Sequence, residues 1–342
     1  MYPGGDPVTG YGACILGVEG PRLTSRERAF FGQVRPFGFI LFARNLEDAD
    51  QIRVLCTQLR EAAGHHAPIL IDQEGGRVQR LRPPLGRDWC SPMDEIARAG
   101  TRANEVMYAR ARLIAAELLD LGIDANCAPL VDVATVQTHA FLRDRCYGGD
   151  PATVADIGRA VADGLLDGGV LPVVKHMPGH GRAVVDSHFD LPRVDAAPED
   201  LFARDFEPFR RLCDLPLGMT GHLVFSALDS APSTTSAKVM GLIRDEIGFD
   251  GLIMTDDISM KALQGGLGDL SAQALAAGCD VILHCNGVFE EMVEVAEASG
   301  RLRGAAEARA IQALSARRPP LEADMAALEA RLTGAANGPG HV

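Results

Sequence analysis

The stretch Lys175-His176-Met177-Pro178-Gly179-His180-Gly181 is followed closely by Asp186-Ser187-His188, so three histidines, a lysine and an aspartate fall between positions 175 and 188. Imidazole is the side chain whose ordinary pKa lies nearest neutrality, and a carboxylate two positions away, as Asp186 is from His188, can hold the ring and raise its proton affinity. That is the chemistry of an acid/base pair. A second cluster, Thr255-Asp256-Asp257-Ile258-Ser259-Met260, places adjacent carboxylates where the apolar run from Leu252 ends. Side chains alternate along a strand, so only one of the two can face the way the inward residues do. A third cluster, Asp72-Gln73-Glu74-Gly75-Gly76-Arg77-Val78-Gln79-Arg80, follows the run 68–71.

Each cluster admits other chemistry. His176, His180, Asp186 and His188 are donors that suit zinc, which would make a metal-assisted hydrolase. Against this, Pro178-Gly179 keeps His176 and His180 from sharing a helical face, and Asp186 is better placed to pair with His188. Lys175 at a strand end could form a Schiff base. Beside His176 and several carboxylates, a protonated, salt-bridged lysine that donates hydrogen bonds to a ligand is the better reading. Gly75-Gly76 allows close backbone approach and leaves room at the floor of a site. Arg80 and Asp72 add a donor fork and an acceptor, a mixture that suits a neutral polyol better than a phosphate. The segment 142–151 can contribute a further arginine.

All three clusters sit where strands end, and the rest of the chain says what kind of strands these are. Apolar runs near Ala13–Val18, Phe39–Phe42, Ile69–Asp72, Asn126–Val133, Leu171–Lys175, Gly218–His222, Leu252–Asp256 and Val281–His284 alternate with helical patterns such as Ala49–Ala63, Arg102–Leu121, Ala152–Leu166 and Pro198–Leu212. Gly64, Gly122 and Gly278 stand just past helix ends, where a left-handed residue is wanted. Eight strands each followed by a helix is the arithmetic of an α/β fold of the (β/α)8 TIM-barrel kind, and barrel enzymes carry their sites on the loops after the strands. A doubly wound sheet is the rival, but no G-x-G-x-x-G follows the first strand. The expected organisation is one catalytic barrel over 1–333 with a disordered tail over 334–342.

Bulk properties narrow the partners. The 342 residues are 47% hydrophobic and 23% charged, which fits a chain with a real core. A net charge of -13 argues against nucleic acid or an anionic membrane as partner, since both require clustered Lys and Arg. The eight cysteines are scattered singly, without C-x-x-C spacing, and read as reduced core residues. No run reaches the ~18 apolar residues of a membrane span, and the N-terminus lacks the pattern of a secretory signal. A cytoplasmic protein, monomeric or weakly dimeric, is expected.

The three clusters together, in order, resemble the signatures of glycoside hydrolase family 3 β-N-acetylglucosaminidases, specifically the single-domain bacterial type used in peptidoglycan recycling. The likeness runs from about residue 13 to residue 290. It implies a retaining exo-β-N-acetylglucosaminidase that acts on GlcNAc β-1,4-linked to 1,6-anhydro-MurNAc, with or without a stem peptide, and needs no cofactor or metal. By the same resemblance Asp256 is the nucleophile, His188 the acid/base and Asp186 its partner, while Asp72, Arg80, Arg145, Lys175 and His176 bind the sugar. Met177, Thr255 and Cys146-Tyr147 stand where Phe, Ser and Ser-Phe are usual, changes of packing that remove no reacting group. Two rivals remain beside the hydrolase: a phosphorylase on the same scaffold, and a non-catalytic sugar-binding barrel.

Overall fold

The computed structural model describes residues 10–185, 187 and 190–336. Eight strands form one wholly parallel sheet: β1 (Gly12–Gly17), β2 (Pro36–Leu41), β3 (Ile69–Ile71), β4 (Ala125–Asn126), β5 (Leu171–Met177), β6 (Leu217–Thr220), β7 (Leu252–Met254) and β8 (Ile282–His284). Their order around the sheet is β7-β6-β5-β4-β3-β2-β1-β8, and Met254 bridges in parallel to Val281, which closes β7 onto β8. The expected α/β TIM barrel is therefore the fold. Helices such as Ser25–Val34, Ala49–Ala63, Ala103–Asp120 and Pro151–Asp167 form the crossovers that parallel strands require. The first two begin at side-chain caps from Thr24 and Asp48, and Gly64 ends the second in the left-handed conformation.

The period of two along each strand sorts the core into two layers. Ala13, Ile15, Phe37, Ile40, Leu70, Leu171, Val173, Leu217, Met219, Leu252 and Met254 fill the barrel interior. Cys14, Leu16, Phe39, Leu41, Ile69, Ile71, Val174 and Ile253 face the helices. The interior cluster also contains Leu302, Ala310 and Ala313, so the helix Gly304–Ser315 plugs the end of the barrel where the strands begin. That leaves the C-terminal ends of the strands as the open mouth. Counted on from the interior residues, Asp72, Lys175 and Asp256 continue the inward parity.

Two expected elements depart most from their sequence patterns. The strand expected over Asn126–Val133 ends at Asn126, because Pro129 has no N–H to give to a ladder. The chain nevertheless stays beside β5, where Lys175 N–H donates to Pro129 O (3.0 Å) and Val131 N–H to Lys175 O (2.9 Å). The helix expected over Pro198–Leu212 is broken into Pro198–Asp200, a wider π-helical turn Leu201–Asp205, and Glu207–Arg211. Pro208 has no N–H for the carbonyl four residues back. The C-terminal helix Met325–Ala336 runs past position 333, and the remainder of the expected tail lies outside the described residues. All eight cysteines are free and six are buried. Among the described residues no helix is long and apolar enough to cross a membrane.

Candidate active site

Asp72, Arg80, Arg145, Lys175, His176 and Asp256 line one cavity of about 290 Å³ at the barrel mouth, together with His180 and Ser187. Pockets of this size lie at the small end of ligand sites. Asp186 and His188 are outside the described residues; Ser187 between them is buried and lines the cavity.

The floor is a closed network of opposite charges. Lys175 Nζ lies 2.9 Å from Asp72 Oδ1 and 2.7 Å from Glu74 Oε1, Arg145 grips both Glu74 oxygens at 2.9 Å, and Arg80 donates to Asp72 Oδ2 at 2.9 Å. The lysine is thus salt-bridged, as expected, and its carboxylate neighbours hold its pKa above the ordinary value against the opposing effect of burial. Burial alone would raise the Glu74 carboxyl, but Arg145 and Lys175 overcome it and bring the pKa down to about 2. Asp72 is lowered likewise, by Lys175 and Arg80 against burial. Glu74 stands in the third cluster, yet nothing in its spacing singles it out from its neighbours. The signal available was that a carboxylate beside two glycines, with no exposed helix to sit on, must find cations if it is buried.

The backbone of this cluster folds as the hairpin Gln73–Gly75/Val78–Gln79. Gln73 pins it, its Oε1 accepting from the N–H groups of Arg80 and Leu81 at 3.0 Å. Gly75 has φ +106°, and the room its missing side chain leaves is filled from behind rather than by a ligand. A Cβ there would come within 1.8 Å of the Arg110 guanidinium, which donates to the carbonyls of Glu74 (2.8 Å) and Cys90 (2.7 Å). The pair therefore does not open space at the site floor, as expected from the sequence; Gly75 admits the buried arginine that holds the floor in place.

Asp132 is the second residue the sequence did not single out. It is fully buried where β4 leads towards β5; its Oδ2 lies 2.8 Å from His176 Nδ1, and its Oδ1 accepts from the His180 backbone N–H at 2.6 Å. It thereby orients the His176 ring. Asp132, His176 and His180 bring one ligand atom each within 4.8 Å of one another, so they are the described residues able to hold a metal ion. This set differs from the one weighed on sequence, and both Asp132 oxygens already accept hydrogen bonds. Among the described residues the His180 ring has no hydrogen-bond partner at either nitrogen, and burial lowers its pKa to about 4, so it is a neutral imidazole near pH 7.

Asp256 ends β7 and faces inward, while Asp257 turns aside to accept from Ser259 Oγ (2.9 Å) and the Cys285 N–H (3.2 Å). Only the first of the pair lines the cavity. Its described hydrogen bond comes from the Asp257 N–H at 2.8 Å, and among the described residues no cation forms an ion pair with it. Burial raises its pKa, but His176, His222, that N–H and Lys175 outweigh the effect and keep it ionised at neutral pH. His222 was also missed: it is completely buried, with Nδ1 on Thr234 Oγ1 (2.7 Å) and Nε2 on the Asp257 carbonyl (3.0 Å), and so braces the turn that carries the two aspartates.

A half-buried, ionised and unpaired carboxylate facing cations and hydrogen-bonding groups across a small polar cavity suits attack on an electron-poor carbon of a hydroxylated ligand. Comparison with known proteins places that geometry. Residues 23–315 match the glycosyl hydrolase family 3 N-terminal domain. The chain belongs to glycosyl hydrolase family 3. A β-hexosaminidase from Alkalilimnicola ehrlichii is 36% identical over 285 residues, which cover 80% of this chain and 81% of that protein. The crystal structure of native NagZ from Neisseria gonorrhoeae superimposes with a TM-score of 0.86 at 26% identity, covering 97% of this chain and all of NagZ. The same protein has been solved in complex with N-trifluoroacetyl-D-glucosamine, where the TM-score is 0.80. This family 3 hydrolase keeps its departures from the usual motifs away from the cavity. Met177 is buried against Gly218, Thr255 Oγ1 accepts from the Leu283 N–H at 2.9 Å, and Tyr147 Oη accepts from the Leu130 N–H at 3.3 Å.

Proposed function

We propose that this hydrolase is a retaining exo-β-N-acetylglucosaminidase of the cytoplasm, active in one catalytic domain and without a metal. On this reading it removes terminal β-1,4-linked GlcNAc from 1,6-anhydro-MurNAc, with or without a stem peptide, in peptidoglycan recycling. Asp256 attacks the anomeric carbon and forms a glycosyl ester, while His188, partnered by Asp186, protonates the departing oxygen and then takes a proton from water. Asp72, Arg80, Arg145, Lys175 and His176 hold the sugar hydroxyls and the acetamido group. One observation carries the assignment: among the described residues Asp256 is the cavity-lining carboxylate without a cation ion-paired to it, whereas Asp72, and Glu74 beneath it, are both ion-paired. Ser187 in the same cavity wall supports a role there for its neighbours in sequence.

The test is release of p-nitrophenol from its β-GlcNAc glycoside, followed by trapping with a 5-fluoro glycoside and peptide mass spectrometry. The expected label is on Asp256, and turnover should be unchanged by EDTA. A label on Asp257 would overturn the assignment. Production of GlcNAc-1-phosphate when phosphate is added would favour a phosphorylase instead.

A further inference from the structure

The three cations deep in the cavity, Arg80, Arg145 and Lys175, are balanced by Asp72, Glu74 and Asp256, and among the described residues Asp256 has no cation ion-paired to it. An anionic group on a ligand therefore finds no net attraction in the interior. The lip is different. Arg77 lines the cavity with its side chain 43% exposed, and the nearest carboxylate, Asp144, stays 3.6 Å from its Nε. Among the described residues that guanidinium donates no hydrogen bond, and Asp144 Oδ1 accepts none. An exposed pair at such a distance contributes little, so it holds the arginine in position without saturating its donors. Beneath it lies the Phe141 ring, 4.4 Å from the guanidinium carbon and also in the cavity wall. The same ring lies 5.3 Å from the Arg145 guanidinium carbon, which ties the lip to the floor network.

We propose that Arg77, seated on Phe141, is the specificity-determining residue of the leaving-group subsite, and that it selects aglycones that carry a carboxylate. This rests on the hydrolase reading above. The sugar that departs must lie outward of the one held by the floor, because Asp256 and the floor network occupy the inner end of the cavity. A carboxylate on that outer sugar meets five N–H donors in a planar fork, whose geometry allows two parallel hydrogen bonds. The contact of the Phe141 ring with the guanidinium restricts the arginine to the orientation that faces the mouth.

The experiment compares kcat/KM for GlcNAc-β-1,4-anhydro-MurNAc with that for the same disaccharide as its methyl ester, in the unaltered enzyme and in Arg77→Gln and Arg77→Lys. The unaltered enzyme should prefer the acid by about tenfold or more, the scale of one hydrogen bond to a charged group. The preference should shrink as salt is raised. Arg77→Gln should bring the ratio of acid to ester near one, mainly through KM for the acid, and Arg77→Lys should keep part of it. A purely structural role for Arg77 would lower both substrates together and leave the ratio intact, which would overturn the proposal. So would a ratio near one in the unaltered enzyme, a result that needs no variant to fold. Turnover of neither disaccharide would instead overturn the hydrolase reading itself.

Discussion

Glu74, buried in the hairpin after β3, and Asp256, lining the cavity just after β7, both contribute a carboxylate to the barrel mouth, and their surroundings are opposite. Glu74 receives both arms of Arg145 and the Lys175 ammonium at 2.7 to 2.9 Å, with a side chain only 2% exposed. Asp256 is more accessible and is held by the Asp257 backbone N–H, with two imidazoles and the lysine close enough to keep it ionised. A carboxylate with both oxygens held by cations is a poor nucleophile towards carbon, whereas one that is charged and free of an ion pair is a better one. The first is a fixed counter-ion for the floor cations, and the second is the carboxylate to which the proposed mechanism gives the reaction.

That contrast can be broken from either side. The largest effect is expected for Asp256→Ala, which should lower kcat/KM by at least about 10⁴-fold while the thermal transition stays within a few degrees, since a missing nucleophile removes the covalent route outright. A variant that kept even a tenth of the activity would show that the uncommitted carboxylate is not the nucleophile. His188→Ala sharpens the same side. It should slow the disaccharide by roughly 10³-fold but the p-nitrophenyl glycoside much less, because a phenolate departs without a proton. Azide, which needs no base, should restore part of the aryl activity; equal losses on both substrates without rescue would remove His188 from the acid/base role.

Glu74→Ala attacks the other side. It leaves the buried Arg145 without its carboxylate and Lys175 with Asp72 alone, and should cost about 3–5 kcal/mol of stability, read from urea denaturation. A loss confined to activity, with stability unchanged, would mean the floor is not the structural element described here. The same carboxylate predicts an acid limb. Its pKa in the folded chain is down to about 2 from an ordinary 4.5, so its stabilisation is complete above about pH 4.5 and is lost as pH falls towards 2. Asp72 acts in the same direction. The urea midpoint should therefore fall between about pH 5 and pH 3, and a flat midpoint over that range would contradict the ion-paired floor. The smallest effect is expected for Asp257→Asn. An amide can still accept from Ser259 and the Cys285 N–H, so activity should change less than about tenfold and stability by about 1 kcal/mol.

The order of strands and helices, the closed parallel barrel and the convergence of three polar clusters on one mouth were all legible in the chain, because they depend on local periodicity and on the rule that sites lie after barrel strands. The inward direction of Asp72, Lys175 and Asp256 follows from the same alternation, counted on from apolar neighbours. Asp186 and His188 are expected from type and spacing to pair, and both lie outside the described residues. What the tertiary structure decided was the choice of partners. Lys175 meets Asp72 across 103 positions and Arg145 meets Glu74 across 71, separations at which spacing carries no information. Asp132 reads in sequence as one polar residue in an apolar run, and becomes the support of His176 only once β4 and β5 lie side by side. Arg110 reads as one more arginine in a helix until the missing side chain of Gly75 lets it reach two carbonyls. Alternation along a strand fixes which way a side chain points, but the register between strands and the packing of loops over them fix what it meets. Those distances determine which carboxylate is neutralised and which stays free of an ion pair among the described residues.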